Sequence, residues 1–263
     1  MTQQREKGNN LRKLLSPERE RLILTALGDG VRTISELAEE LQVSEATVRR
    51  DLSSLEERGC AQRVHGGAIR IDDRRPEPLF HEKTSHHAAD KERIAECALA
   101  LIEDGDSIYL DGGSTVLALA RKLGSRRYLT IVTNSLMAAA ELMETNHRLI
   151  LLGGEFRPIS RTLVGPLSAP VGEALNIGKA FFGTLGLTAA GLSTTDPNEA
   201  YTKMLIMRRA EQSILLSDST KFGHASLVES GSLDRLHTIV TDKAAPAELV
   251  TLLRRRKIEV ILV

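Results

Sequence analysis

Two adjacent arginines, Arg49 and Arg50, stand in the stretch VSEATVRRDLSSLEERG (43–59), whose apolar positions recur at helical spacing. If Val48, Leu52 and Leu55 point into a core, then Glu45, Ala46, Thr47, Arg49, Arg50 and Ser53 lie largely on the open side. Ser44 stands where an N-cap belongs, with a side-chain oxygen able to accept from the free N–H groups of the first turn. On such a face an arginine can bind a guanine bidentately or clamp a phosphate, and a threonine methyl can meet a thymine methyl. The sequence leaves open which arginine does which. A second group with chemistry to offer is Asp-Gly-Gly-Ser-Thr at 111–115. Flexible backbone, two hydroxyls and the start of a predicted helix together make a cradle for an anion. The loop is neither a Walker A loop nor a dinucleotide fingerprint, since neither GxxxxGK[ST] nor GxGxxG occurs there.

The elements around the arginines are legible. Ser16, Pro17 and Glu18 open a helix with an apolar stripe at Leu22, Ile23, Ala26 and Leu27, and Gly28-Asp29-Gly30 ends it. Thr33 and Glu36 have capping-box spacing and start a second helix carrying Leu37, Ala38 and Leu41. Gln42-Val43 is the turn, the arginine helix follows, and Gly59 stops it. Residues 60–68 read as two short strands, a wing. Helix, turn, helix and wing in this order predict entry into a DNA major groove. The expected contacts are Ser44, Glu45, Thr47, Arg49 and Arg50 on the helix and Arg63 and His65 on the wing. Asp51 is expected to orient Arg50 or a wing residue.

The segment at 43–59, followed by RVHGGA at 63–68, resembles the signature of the DeoR family of bacterial transcriptional regulators. The matching positions are Val43, Ser44, Thr47, Arg49, Arg50, Asp51, Leu52, Leu55, Gly59, Arg63, His65, Gly66, Gly67 and Ala68. The resemblance implies an N-terminal winged helix-turn-helix, with helix 44–57 reading an operator, and a C-terminal sugar-phosphate sensor.

Composition agrees with two soluble domains. The chain has 263 residues, 41% of them hydrophobic. Its 35 Lys+Arg balance its 35 Asp+Glu, which argues against a nonspecific nucleic-acid coat. Charge can still be local: residues 58–75 hold five arginines against two aspartates. The two cysteines, Cys60 and Cys97, lack metal-ligand spacing and sit at apolar positions, as reduced packed thiols would. His81, His86 and His87 are read as solvent-exposed. No signal peptide or membrane span is visible, so a cytoplasmic protein is expected.

After residue 90, short apolar strands alternate with helices, the pattern of a mostly parallel sheet covered on both faces. Strands are expected at 107–110, 129–133, 148–152, 180–187, 213–217, 237–241 and 258–263. Their ends fall at Asp111, Asn134, Gly153, Gly186, Asp218 and Asp242, where an open α/β sheet places its ligand crevice. Asn134, Ser135, Gly153 and Gly154 add donor-rich turns to the rim at Asp111.

The order DGGST, TNS, LLGG, FFGTLG and SDSTKFG is similar to the DeoR-family sensor domain, itself similar to ribose-5-phosphate isomerases and acyl-CoA transferases. The resemblance implies that Asp111, Gly113, Ser114 and Thr115 hold a sugar phosphate and that Lys221 reaches the phosphate or a sugar hydroxyl. Two departures stand out. Gly178-Lys179 occupies a place where relatives commonly carry an acid, and Thr184-Leu185 stands where an isomerase would carry its carboxylate base. Asp196 and Glu199 are the nearest carboxylates. Arg157, Arg161, Thr195 and Tyr201 are candidates for lining the crevice.

The expected organisation is α/β: a winged helix-turn-helix at 16–71, a linker at 72–89 and a sensor at 90–263. The expected function is that of a DNA-binding regulator, a homo-oligomer (dimer or tetramer) repressing a carbohydrate operon until a phosphorylated sugar binds. It needs no cofactor, metal or membrane and is not an enzyme. The alternatives are an isomerase-like enzyme with a DNA-binding appendage, or an activator.

Overall fold

A computed structural model describes residues 16–27, 32–57, 61–64, 67–70 and 77–263. The chain divides into two units, 1–77 and 78–263.

In the first unit, α1 (Ser16–Leu27) is followed by β1 (Arg32–Thr33), α2 (Ile34–Glu40), α3 (Glu45–Glu57), β2 (Ala61–Val64) and β3 (Gly67–Arg70). Ile23, Leu27, Leu37, Leu41, Val48, Leu52 and Leu55 meet in one core, closed by Ala61 and Ala68 from the wing. Thr33 and Glu36 form the expected capping box on α2. The wing is larger than expected: β1 joins it, giving an antiparallel sheet in the order β1-β3-β2. A two-residue strand leaves no periodicity to read. Gly67 permits the crossing, because an added Cβ there would lie 2.3 Å from the carbonyl oxygen of Arg32. Gly28, Asp29, Gly30, Gly59, Cys60 and His65 lie outside the described residues.

The second unit begins with α4 (Phe80–Ser85) and α5 (Ala88–Ala100). Residues 78–89, expected within the linker, therefore belong to this unit. Phe80 is buried in its core, and a single aromatic among polar residues gives no periodic signal. Next come β4 (Ser107–Leu110), α6 (Ser114–Ala120), β5 (Thr130–Thr133), α7 (Leu136–Leu142), β6 (Arg148–Leu151), β7 (Glu155–Arg157), β8 (Thr162–Val164), α8 (Ala169–Gly172) and β9 (Ile177–Phe182). The remainder is β10 (Gly186–Leu187), β11 (Leu192–Thr194), α9 (Pro197–Arg209), β12 (Ala210–Leu216), β13 (Val228–Gly231), β14 (Thr238–Thr241), α10 (Ala247–Arg255) and β15 (Glu259–Leu262).

Seven parallel strands form one sheet in the order β15-β14-β12-β9-β4-β5-β6. Successive residues of a strand face opposite sides. Ile108, Leu110, Ile131 and Phe181 accordingly pack with α5 and α6, while Tyr109, Val132, Ala180 and Phe182 pack with α9 and α10. Both faces are covered, as the unbroken apolar strands require.

β9 starts earlier and ends earlier than expected. Lys179 belongs to it because its ammonium pairs with Asp106, 2.7 Å away at the foot of β4. The strand ends at Phe182. Gly186, expected at its end, belongs to a small antiparallel sheet, β10-β11-β13. A further hairpin, β7-β8, lies between β6 and β9 in the chain. Among the described residues, no helix is long and apolar enough to cross a membrane.

Candidate functional sites

α3 is launched by a tight turn. Gln42 takes a left-handed conformation (φ 52°), and the Val43 N–H donates to the Ala38 carbonyl at 3.0 Å. The Ser44 hydroxyl accepts from the Thr47 N–H at 3.2 Å and lies 2.9 Å from the Thr47 hydroxyl. Glu45, Ala46, Arg49 and Arg50 are exposed on the outer face, and Val48, Leu52 and Leu55 are buried. The two arginines differ. Arg49 Nη2 donates to Glu45 Oε2 at 3.2 Å, one helical turn back, whereas Arg50 has no partner among the described residues.

Asp51 points inward, where Arg19 of α1 grips it with Nε (2.8 Å) and Nη2 (3.0 Å). The guanidinium shown on Asp51 is therefore that of Arg19, not of Arg50. Arg63, expected on the DNA, lies against α3: its Nη2 donates to the Arg49 carbonyl at 2.9 Å and to the Ser53 hydroxyl.

In the second unit, the chain leaves β4 through β5 and β6 on one side, then returns to β9 on the other and proceeds outward. Beyond the carboxyl ends of the strands flanking such a reversal, α/β sheets open a crevice. The DGGST loop lies there. The Asp111 N–H donates to the Phe181 carbonyl at 3.0 Å, and Asp111 Oδ2 accepts from the Gly183 N–H at 3.2 Å. Lys203 Nζ, from α9, donates to both Asp111 Oδ2 and the Gly183 carbonyl. Lys203 is 2% exposed and Asp111 4%, so the pair is neutralised out of water at the junction of β4 and β9. The Asp111 carboxylate is thus already engaged. Two glycines follow it, of which Gly113 has a positive φ (116°) and open space above it.

The TNS turn is stitched to the hairpin. Asn134 Nδ2 donates to the Leu163 carbonyl at 3.1 Å, and the Leu163 N–H returns a bond to the Asn134 carbonyl at 2.8 Å. Ser135 caps α7 by accepting from the Ala138 N–H. Asn134 Oδ1, in a residue 1% exposed, has no hydrogen-bond partner among the described residues. The backbone of Gly154 runs against β8, where an added Cβ would lie 2.7 Å from the Val164 N and O atoms.

Arg157 is held by the Thr195 hydroxyl (3.0 Å) and by Asp196 and Glu199 at 3.5 and 3.3 Å. Asp196 and Glu199 are therefore committed to an arginine. Burial first, then the charges of Asp111 and Glu199, push the Tyr109 hydroxyl far above its ordinary pKa. Lys221 lies half-buried in the turn past the end of β12, the strand on the far side of β9 from β4. Lys91, also buried, donates to the carbonyls of Lys83 and His86 at the end of α4. Burial lowers its pKa, and its charge is felt by Asp218 and Lys221 on the rim. His81, His86 and His87 are exposed.

The structure thus joins Asp111, Gly113, Ser114, Thr115, Asn134 and Ser135 in adjoining loops, with Gly153 and Gly154 at the next strand end and Lys221 across β9. Lys203 was missed by sequence reasoning. Its signal was a lysine in register with Ala200, Ile206 and Met207 on the buried stripe of α9.

Family models agree with this division: a DeoR-like helix-turn-helix domain matches residues 20–74, and a DeoR C terminal sensor domain matches 86–243. The chain belongs to the DeoR family. This DeoR-family chain is 38% identical to an uncharacterized HTH-type transcriptional regulator, FruR, of Bacillus subtilis, over 87% of its own length and 92% of the relative's. It is 37% identical to the lactose phosphotransferase system repressor of Lactococcus lactis, over 81% and 86%. Ribose 5-phosphate isomerase A of Methanocaldococcus jannaschii superposes on 50% of this chain and 53% of its own, at 19% identity and a TM-score of 0.37, a match too loose to bear on function. As a DeoR-family member the protein is a DNA-binding transcriptional regulator and not an enzyme.

Proposed function

We propose that this regulator represses a carbohydrate-catabolic operon and leaves its operator when a phosphorylated sugar enters the crevice between β4 and β9. The operator is read by Ser44, Glu45, Thr47, Arg49 and Arg50 at the front of α3, with His65 on the wing. The N–H groups at that end of the helix suit a phosphate, and Arg50, without a partner among the described residues, suits a phosphate or a base edge. The protein acts in the cytoplasm as a homodimer or tetramer, because paired half-sites about 34 Å apart need two reading helices.

The observation that carries the sensor reading is the Lys203–Asp111 pair. With its only acid neutralised, the DGGST loop presents Gly113, Ser114 and Thr115 to an anion without a competing negative charge. Asn134 Oδ1 is left to accept from a sugar hydroxyl, Ser135, Gly153 and Gly154 complete that side of the rim, and Lys221 approaches the anion from across β9. The names of the relatives, among them a repressor of a sugar phosphotransferase system, favour the same reading.

The test is a gel shift of the purified protein on its own promoter region, against a panel of sugar phosphates and their unphosphorylated parents. Release by one ester and not by its parent is expected. Specific binding that no ester disturbs would overturn the sensor half of the reading.

A further inference from the structure

We propose that Arg63 is a positioning residue, a brace that fixes the wing to α3, and that it does not contact DNA. The proposal rests on α3 being the reading helix.

Three observations carry it. The first is strand parity. Ala61 is 1% exposed and faces the core, and residues two apart on a strand share a face. Arg63 therefore leaves β2 on the side of α3.

The second is the set of partners. The Arg63 N–H donates to Glu56 Oε1 at 3.2 Å, and its Nε lies 3.4 Å from Glu56 Oε2. Its Nη2 reaches the Arg49 carbonyl at 2.9 Å and the Ser53 hydroxyl. Residues 49, 53 and 56 follow one stripe of α3, so a single planar fork spans two turns of the helix.

The third is charge. Glu56 lies beside the guanidinium, and a carboxylate is the wrong neighbour for a phosphate. Arg50, which has no partner among the described residues, shows what an unengaged arginine looks like on this domain.

A brace has a function here because helix and wing must reach the duplex together. The angle between them is set before binding, and without Arg63 the wing would have to be ordered at the moment of association, at a cost in affinity.

The test uses the full chain and a duplex selected by the wild-type protein from a random-sequence pool. Binding is measured by fluorescence anisotropy over a range of salt from about 50 to about 300 mM. Arg63→Ala is expected to weaken binding roughly tenfold, the worth of one charge-assisted hydrogen bond, with the slope of log K against log salt unchanged.

Two further variants keep the test decisive should Arg63→Ala fold poorly. Glu56→Gln is expected to weaken binding as well, with no further loss when combined with Arg63→Ala. Arg63→Lys, which keeps a charge but loses the fork, is expected to behave like Arg63→Ala. The brace is overturned if Arg63→Ala lowers the slope by about 0.9, the mark of a lost phosphate contact. Tighter binding by Glu56→Gln, near wild-type binding by Arg63→Lys, or unchanged binding by Arg63→Ala would overturn it equally. Failure of the reading-helix premise shows separately, as retained binding by the Arg49→Ala/Arg50→Ala variant.

Discussion

Arg19 grips Asp51 from behind α3: both oxygens of the carboxylate are held, at 2.8 and 3.0 Å, by a side chain 32 residues earlier. Asp51 is 2% exposed and adjoins Arg50, which faces out. The orientation of α3 is therefore fixed by an ion pair as well as by the packing of Val48, Leu52 and Leu55. Asp51→Asn and Arg19→Lys each give up the bidentate geometry. Each is expected to cost the winged domain about 1.5 kcal/mol, the low end for a hydrogen bond to a charged group, since Arg19 keeps some contact with water. Urea unfolding of the domain checks this, and an unchanged midpoint would make packing alone sufficient.

The buried Lys203–Asp111 pair invites a different experiment. Lys203→Ala leaves a carboxylate out of water without its cation, a loss of roughly 3–5 kcal/mol. Lys203→Met combined with Asp111→Asn removes both charges and is expected to recover most of that stability without restoring induction by the sugar phosphate. Denaturant titration reads the first effect and release from the operator reads the second. Full induction in the double variant would mean that the charges serve the fold alone.

Gly112 and Thr162 form a fitted contact between the DGGST loop and the hairpin. A Cβ at Gly112 would lie 2.3 Å from Thr162 Cγ2. Gly112→Ala is expected to destabilise the second unit by about 1–3 kcal/mol, as overpacking does. Thr162→Ser removes the offending methyl while keeping the hydroxyl that lies 2.7 Å from Ser160 Oγ. The pair of substitutions is therefore expected to melt close to Thr162→Ser alone, as measured by thermal unfolding.

Asp242 gives the second unit an acid-sensitive corner. Burial pushes its pKa up, but the N–H groups of Ser219 (2.6 Å) and Ala244 (2.9 Å) outweigh this and hold it below the usual range. A depressed carboxylate contributes stability that is present above its unfolded pKa, near 4, and lost as pH falls through the folded value. Unfolding free energies measured from pH of about 5 downward are expected to fall less steeply in Asp242→Asn. Equal slopes would assign the acid response to other groups.

The reading unit was largely legible in the sequence because its determinants are local. The capping box at Thr33 and Glu36, the cap at Ser44 and the stripe of Val48, Leu52 and Leu55 each act within a few residues. The Asp51 partner was not legible, since nothing in the spacing links it to Arg19. The parallel strands were visible as apolar runs, yet β9 was misplaced at both ends. The charge of Lys179 reads as loop until Asp106 of the neighbouring strand is placed beside it. Asp111 was found from its turn, whereas Lys203, arriving from a helix 92 residues on, was known only once the sheet was assembled.

The reversal between β4 and β9 also dictates an order of assembly. β4 pairs with β5 through residues some 23 apart, but its other partner, at Ile108↔Lys179, lies 71 residues further along the chain. Contacts in the winged unit span shorter separations, 36 residues at Arg32↔Ala68, while long-range parallel pairing is slow. During synthesis, which runs from the N-terminus, the reading helix has its core well before β9 exists. The crevice is among the last parts of the molecule to be completed, so the capacity to read DNA is built before the proposed capacity to be told to stop.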